Sequence, residues 1–264
     1  MNIAASLPIG PLLRDWRTRR RMSQLDLALD AEISQRHLSF VESGRAAPSR
    51  DMVLRLAERL DVPLRQRNRL LLAAGFAPSF VERPIADASM LPARRAIDLV
   101  LKGHEPNPAI AVDGHWNLIA GNAAIAPFLE DIADPSLLEA PINVLRLSLH
   151  PQGLAPRIEN LGEWRAHILE RLRRLALATG DEAVAALEAE LRAYPHPASS
   201  APVRHDYSDI AVPLRVRVAD ATLSFISTIT VFGTPLDVTV SEIAIESFFP
   251  ADTATAEWLR ARSL

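Results

Sequence analysis

Two short helical patterns follow each other between Ser23 and Gly44 with almost no chain between them. Ser23 precedes Gln-Leu-Asp, with Asp26 three residues on, which is typical of a capping box at a helix start. Ser34 is a suitable N-cap for a second helix over 35–43, which Gly44 ends. The apolar positions are spaced so that both helices share one core across a tight turn; they are Leu27, Ala28, Ala31, Ile33, Leu38 and Val41. The pattern predicts a helix-turn-helix arrangement.

The surrounding residues extend this arrangement into a small helical domain. The segment 12–77 contains five short amphipathic patterns, and Ser49 is placed to cap a helix that runs to Leu60. Pro63 follows at a position where a proline in the first helical turn is tolerated. We therefore expect an all-α domain of five helices at the N-terminus.

The charges of the chain are divided unevenly. The first 84 residues hold 14 arginines and 9 acids, a net charge of +5, whereas the remaining 180 carry a net −8. The chain has one lysine, Lys102, so arginine supplies all the side-chain cations of the N-terminal domain. Five of them lie within eight residues, at Arg14, Arg17, Arg19, Arg20 and Arg21. A basic domain joined to an acidic one is expected when one end meets a polyanion, although such a cluster is equally consistent with a solvated helix face.

Residues 23–45 resemble the Xre-type, lambda-repressor-like helix-turn-helix family. The closing Val-Glu-Ser-Gly-Arg, followed by Pro48-Ser49 and an amphipathic helix, is specific to that family. Glu32 stands at a turn position often filled by glycine, and a non-glycine residue with positive φ costs about 1 kcal/mol there. The resemblance implies DNA binding; the alternative is a helical domain that has kept this shape for protein contacts only.

The helix-turn-helix geometry assigns roles to individual side chains. The first residues of the second helix reach base edges in the major groove, and glutamine and arginine can read adenine and guanine bidentately. The predicted base-reading residues are Gln35, Arg36, Ser39 and Phe40. The predicted phosphate contacts are Gln24, Arg45 and Arg50, which would position the protein without reading sequence. His37 is as consistent with packing as with a phosphate contact.

Several classes of function lack their sequence features. The chain has no cysteine, no apolar run approaching the ~18 residues of a membrane span, and no basic flank ahead of an apolar stretch at its start. Phosphate-loop, dinucleotide-binding, nucleophile-elbow and zinc-protease motifs are absent, and the seven histidines have no helical metal-ligand spacing. We expect a cytoplasmic protein without a membrane partner, metal, cofactor or enzyme activity.

The rest of the chain predicts a linker over 79–92 and an α+β domain over 93–264, after a first domain at 1–78. Asp113-Gly114 is a hairpin turn signal between apolar runs, and helices are expected over 92–102, 122–131, 154–179 and 181–194. A Pro/Ser-rich break precedes three strand patterns, at 214–218, 223–232 and 238–249, the last two separated by Gly233-Thr-Pro. Together these elements predict a five-stranded antiparallel sheet with helices on one face.

This order of elements is similar to a PAS-like sensor domain, and the whole chain resembles the MmyB-like family of Xre-type regulators. The resemblance is carried by Arg-Asn-Arg-Leu-Leu-Leu-Ala-Ala-Gly-Phe-Ala-Pro at 67–78 and by the strings at 112–124, 143–154 and 232–250. It implies a transcription regulator whose C-terminal domain binds a small apolar ligand, with fatty acids as the expected class.

A pocket for such a ligand needs an apolar wall and one or two polar groups at its mouth. The candidate wall residues are Trp116, Phe128, Trp164, Phe225, Phe232 and Phe248, for each of which ordinary core packing is the alternative. The candidate polar anchors are Asn122, Arg146 and His150, the last two sharing a face if 143–150 is helical. The alternative is that Arg146 pairs with an acid and His150 caps a helix.

Three hypotheses follow. The first is a ligand-responsive, sequence-specific regulator that binds a DNA operator as a homodimer, since two half-sites about one turn apart give a symmetric operator its affinity. The second makes the C-terminal domain a constitutive, ligand-free dimerisation module with a packed core. The third makes it an enzyme, which the lack of any titratable pair within hydrogen-bond reach of the pocket would exclude.

Overall fold

The computed structural model of the chain describes residues 8–195, 212–233 and 237–262. These residues divide into two compact units. Most of the first unit lies before Glu82 and most of the second lies after Arg83, so the division falls within the predicted linker. A short 3-10 turn over Ala88–Met90, capped by the Asp87 side chain, also lies in that segment.

The first unit consists of five helices, as the sequence predicts. They are α1 (Ile9–Arg19), α2 (Gln24–Asp30), α3 (Gln35–Glu42), α4 (Arg50–Arg59) and α5 (Leu64–Ala73). The helix starts follow their capping residues, because each unpaired N-terminal N–H needs an acceptor. Ser23 and Asp26 form the predicted capping box, and Ser34 and Ser49 accept from the third backbone N–H of α3 and α4. Pro63 occupies the N-cap of α5 rather than its first helical position.

The helix-turn-helix closes on a fully buried apolar core. Leu27 and Ala28 of α2 and Leu38 and Val41 of α3 are at most 1% exposed, as the spacing of apolar residues predicts. The turn between them places Glu32 at φ 54°, so this non-glycine residue adopts the left-handed conformation. The packing of the two helices therefore outweighs the local cost of that conformation.

The second unit combines a sheet with seven helices in its described part. The strands are β1 (Ala109–Val112), β2 (Leu118–Gly121), β3 (Leu214–Val218), β4 (Ala221–Val231) and β5 (Ala244–Pro250). The helices are α6 (Leu91–Gly103), α7 (Ala126–Leu129), α8 (Val144–Leu149), α9 (Leu161–Thr179), α10 (Glu182–Ala193), α11 (Val238–Ser241) and α12 (Thr253–Arg262).

All five strands form one antiparallel sheet in the order β2-β1-β5-β4-β3. The register pairs Ala111 with Ile245 and Thr228 with Ser247, so β5 lies between the first hairpin and the second. This confirms the predicted five-stranded antiparallel sheet.

Helices cover both faces of the sheet, whereas the sequence analysis placed them on one. Ala109 and Ala111 of β1 pack with Ile97 and Leu101 of α6, while Val112 belongs to a separate cluster that contains residues of α8, α9 and α10. The reason is that β1 is apolar on both faces, and an apolar face left in water would cost free energy.

Three other boundaries differ from the prediction. The expected helix over 154–179 is a 3-10 turn at Ala155–Arg157 followed by α9, and the strand expected over 238–249 begins with the helical turn α11. The helix expected after Asn122 is a 3-10 turn at Ala123–Ile125 followed by α7. Most of the predicted Pro/Ser-rich break, and Thr234 and Pro235 of the second turn signal, lie outside the described residues.

Candidate functional site

The first residues of α3 project from the surface of the N-terminal unit. Gln35 and Arg36 are exposed, and Ser39 and Phe40 follow half-buried one turn later. The Arg36 guanidinium carbon lies 5.3 Å from the centre of the Phe40 ring, and that of Arg45 lies 5.9 Å from the same ring. Because a cation over an aromatic face is attracted to it, the ring holds two guanidinium groups beside the exposed start of the helix. The four predicted base-reading residues thus lie on one helix surface.

The residues predicted to contact phosphates differ in their surroundings. Arg45 and Arg50 are exposed, and Arg50 Nη2 donates to Ser79 Oγ at 2.6 Å. Gln24, at the start of α2, donates from Nε2 to Glu42 Oε2 at 2.8 Å. Gln24 is therefore engaged with a carboxylate inside the unit, which the sequence analysis did not predict.

Glu42 is the centre of a buried polar network. Its side chain is fully buried and accepts from Arg17 Nε at 2.7 Å and Arg17 Nη2 at 2.9 Å, with Arg14 Nε 3.5 Å away. Burial alone would raise the pKa of the Glu42 carboxyl, but the hydrogen bonds from Arg17 and Gln24 and the charges of Arg17 and Arg14 hold this pKa below its ordinary value. At neutral pH the carboxylate therefore stays ionised. The network ties α1 and α2 to the last residue of α3.

The second unit contains an apolar cavity of about 110 Å³ beside its sheet. Helices α7, α8 and α9 and strands β1 to β5 contribute to the wall, which is apolar apart from three side chains. Those three are Ser148, Arg171 and Glu246. The apolar lining residues are Pro108, Ile110, Leu118, Ile125, Phe128, Leu129, Ile142, Val144, Leu145, Leu147, Leu154, Trp164, Ile168, Leu214, Phe225 and Phe248.

Four of the six predicted aromatic residues lie on this wall. Phe128 and Phe225 meet edge to face with ring centres 5.8 Å apart, and Phe248 meets Phe225 at 6.2 Å. The fourth, Trp164, donates from Nε1 to Ser148 Oγ at 3.0 Å, so its ring is fixed in position. The arrangement presents a rigid aromatic surface to the cavity.

The other two predicted aromatic residues do not line the cavity. Trp116 is buried in the same core and lies under the guanidinium of Arg171, whereas Phe232 packs beside α6 in the cluster on the opposite face of the sheet. The strand pattern that ends at Phe232 does not specify on which face of the sheet its ring lies.

The three predicted polar anchors also lie elsewhere. Asn122 is buried, where its amide donates to Leu101 O and Asn107 O and accepts from the Ala109 N–H. Its hydrogen bonds hold the start of β1 and leave the following turn uncapped by its side chain. The structure thus gives Asn122 a role in the fold.

Arg146 and His150 are not among the residues that line the cavity. Arg146 Nε and Nη2 each donate to the Glu190 carboxylate at 2.8 Å, and the two side chains are 43% and 38% exposed. The His150 ring meets Tyr194 edge to face at 5.1 Å. Arg146 thus pairs with an acid, the alternative given above, and His150 packs on an aromatic ring.

The two charged residues that do line the cavity were not predicted from the sequence. Arg171 Nη1 donates to Glu246 Oε1 at 2.9 Å, with side chains 16% and 3% exposed. A signal was present: Arg171 lies three residues after Ile168 and seven after Trp164, on the buried face of α9. Glu246 stood in an apolar run assigned to a strand, where a lone carboxylate needs a partner when buried.

Within the described ranges, no group of three or more potential ligands could hold a metal ion. No helix in those ranges combines the length and apolarity needed to cross a bilayer.

Comparison with known families matches both units of the chain. Residues 93–261 match the model of the MmyB-like transcription regulator ligand binding domain, and residues 13–66 match a helix-turn-helix model. The search of curated proteins finds no match. The cavity lies within the first match, and α3 lies within the second.

Proposed function

Because the chain belongs to the MmyB-like transcription regulators, we propose that it binds a specific DNA operator and that its C-terminal domain senses a fatty acid or related acyl compound. The helix-turn-helix domain and the ligand-binding domain make the chain a transcription regulator with a ligand-sensing module. Four features of this function are our proposal: the DNA operator, the acyl class of the ligand, the homodimer and the cytoplasmic location.

The proposal that the chain binds DNA is supported by helix α3, which is buried on one face and exposed on the other. Leu38 and Val41 are fully buried, while Gln35 and Arg36 at the start of the same helix are exposed. A helix anchored along one face presents its other face in a fixed orientation, which base reading requires. Arg36 can donate two hydrogen bonds to a guanine edge, and the Gln35 amide can donate one to an adenine edge and accept one from it.

The observation that carries the ligand-sensing part is the apolar cavity. Its walls are aliphatic and aromatic, with three polar side chains among nineteen lining residues. Such a composition is typical of a site that takes an apolar molecule and fixes its orientation with few polar groups. In the proposed homodimer, the two DNA-binding domains can take different relative arrangements. A ligand that binds one of these arrangements more tightly would shift the fraction of the regulator that is bound to DNA.

The cavity also bears on the two alternative hypotheses. A ligand-free dimerisation module would be expected to pack its core to the density of other protein interiors, so the apolar cavity supports the ligand-binding hypothesis instead. An enzyme would need a titratable pair near the cavity, and Arg171 with Glu246 is such a pair. Arginine keeps its proton in proteins, however, so this pair is better suited to holding a ligand than to proton transfer.

Mass spectrometry of the organic extract tests the proposal. The protein is purified gently, denatured and extracted, before and after incubation with a lipid mixture. We expect a stoichiometric acyl compound from the natural protein and little from Val144→Phe, which narrows the cavity. Val100→Phe is the matched control, because Val100 is exposed on α6 and does not line the cavity. An empty extract in both conditions would favour the hypothesis that the C-terminal domain is a ligand-free dimerisation module.

A further inference from the structure

Arg171 lines the cavity, and only part of its guanidinium is hydrogen-bonded within the described residues. Its guanidinium carbon lies 4.2 Å from the centre of the Trp116 ring, and Nη1 donates to Glu246. Nε and Nη2 are buried, and neither has a hydrogen-bond partner among the described residues. Since Arg171 lines the cavity, two donors of a buried cation remain unpaired at an apolar site.

Other arginines among the described residues show what this edge binds. Arg17 uses Nε and Nη2 to hold the Glu42 carboxylate, and Arg146 uses the same two atoms to hold that of Glu190. The Nε and Nη2 hydrogens point in parallel, at the spacing of two carboxylate oxygens. In Arg171 the same pair of donors has no carboxylate partner among the described residues.

Leaving a buried charged donor unpaired costs free energy, because the hydrogen bonds to water that it gives up are not replaced. Glu246 pairs with the other side of the guanidinium, and Trp116 lies against its face. These two contacts hold Arg171 in place and leave the Nε–Nη2 edge available. Because Arg171 lines the cavity, an acceptor supplied from the cavity can pair with that edge without moving the residue.

We propose that the Nε–Nη2 edge of Arg171 binds the carboxylate of a single-chain acid whose apolar tail occupies the cavity. This assignment rests on the proposed ligand-sensing function and names the head group that the site selects. A monoanionic carboxylate fits better than a phosphate monoester, since phosphate carries nearly two charges and Glu246 already offsets part of the single cation. The alternative head group is a neutral carbonyl or hydroxyl oxygen.

The test compares straight-chain acids of six, ten and fourteen carbons with the alcohols of equal length. Binding to the full-length protein is measured by isothermal titration calorimetry. We expect the best acid to bind at least about tenfold more tightly than its alcohol, because the charge-assisted pair is absent from the alcohol. Arg171→Gln should remove that preference and leave alcohol binding within about threefold. Arg146→Gln, an arginine outside the cavity lining, should leave the acid preference unchanged.

Two further variants keep the test valid if Arg171→Gln folds poorly with Glu246 unpaired. The double variant Arg171→Gln, Glu246→Gln removes both charges together, and it should bind acid and alcohol alike. Glu246→Gln alone removes a negative charge near the ligand, so it should tighten acid binding and leave alcohol binding unchanged.

The outcomes separate this inference from the proposed function. If acid and alcohol bind the natural protein equally, or Arg171→Gln keeps the acid preference, Arg171 is not the anchor and the cavity remains a ligand site. If no acid or alcohol of any length binds, and the organic extract is also empty, the proposed ligand sensing is contradicted. The proposed role of Arg171 is then contradicted as well.

Discussion

Arg17 donates two hydrogen bonds to the Glu42 carboxylate, at 2.7 Å from Nε and 2.9 Å from Nη2. Glu42 is the last residue of α3, the helix whose first residues are predicted to read bases, and Arg17 belongs to α1. The pair therefore fixes the far end of the recognition helix to the rest of its domain. Because the Glu42 side chain is fully buried, we expect the pair to contribute to the folding stability of the domain.

Replacing this carboxylate should destabilise the N-terminal domain. Glu42→Gln leaves the Arg17 guanidinium, 14% exposed, without its counter-charge, and breaking a buried pair in this way costs roughly 3 kcal/mol. The free energy of unfolding is measured by urea denaturation. Asp15→Asn is the matched control, because Asp15 pairs with Arg19 at the same 2.7 Å on the surface. That change should cost no more than about 1 kcal/mol. Equal losses in the two variants would contradict the structural role of Glu42.

The Glu42 pair also predicts how stability depends on pH. Its pKa is held below the ordinary value of 4.5 by hydrogen bonds that outweigh the effect of burial. As the pH falls below 4.5, the unfolded chain takes up the proton before the native chain does, so the native state loses stability. This contribution is fully present above that pH. The slope of unfolding free energy against pH, measured between about pH 3 and pH 6, should be shallower in Glu42→Gln. An unchanged slope would mean that other carboxylates account for acid unfolding.

Arg36 should contribute to sequence preference. Its side chain is exposed at the start of α3, and loss of one bidentate base contact costs about 1–3 kcal/mol. An operator is first selected from random-sequence DNA with the natural protein. Arg36→Ala should then weaken binding to this operator and relax the preference at one position, as a repeated selection would show. Equal loss on operator and random DNA would contradict base reading by Arg36.

Arg45 should act on DNA of any sequence. It is exposed just after α3, at a position expected to lie on a phosphate. Arg45→Ala should weaken binding to operator and random DNA alike, because a phosphate contact carries no sequence information. The slope of log affinity against log salt concentration should fall by about one unit. If the slope is unchanged, Arg45 touches no phosphate.

The close approach of α1 to α3 depends on a glycine of α1. A Cβ built on Gly10 would lie 2.5 Å from the Glu42 carbonyl oxygen and 2.7 Å from that of Val41. Since both neighbours are backbone atoms, Gly10→Ala must push α1 away from α3, and we expect a loss of at least about 1 kcal/mol in unfolding free energy. In Gly103→Ala the added Cβ meets open space within a helix, so it should be neutral or stabilising by up to about 1 kcal/mol. Similar losses from both changes would contradict the close approach of α1 to α3.

The elements that the sequence predicted well are those fixed by neighbouring residues. The capping box of Ser23 and Asp26, and the caps of α3 and α4, join residues three apart, so the sequence contains the whole interaction. The apolar face of α9 follows in the same way from helical spacing. The start of β5 could not be read, because the apolar run that begins at Val238 is consistent with both a helical turn and a strand.

Four aromatic residues of the cavity wall were predicted from the sequence, whereas its two charged residues were not. Arg171 and Glu246 lie 75 positions apart on a helix and a strand, and only the folded sheet brings them together. Arg146 and His150 were predicted as polar anchors that share a helix face, yet α8 turns Leu145 and Leu149 inward and Arg146 toward Glu190. Local spacing cannot say which face of a six-residue helix meets the core.

The placement of two indole rings should make the intrinsic fluorescence of this protein sensitive to a ligand in the cavity. Trp164 lies on the cavity wall and Trp116 lies against the Arg171 guanidinium, which makes two of the four tryptophans neighbours of the same apolar space. A molecule that enters the cavity changes the polarity around the first ring, and one that pairs with Arg171 changes the field on the second. Occupancy can therefore be followed through intrinsic fluorescence, without a label and on DNA as well as in free solution.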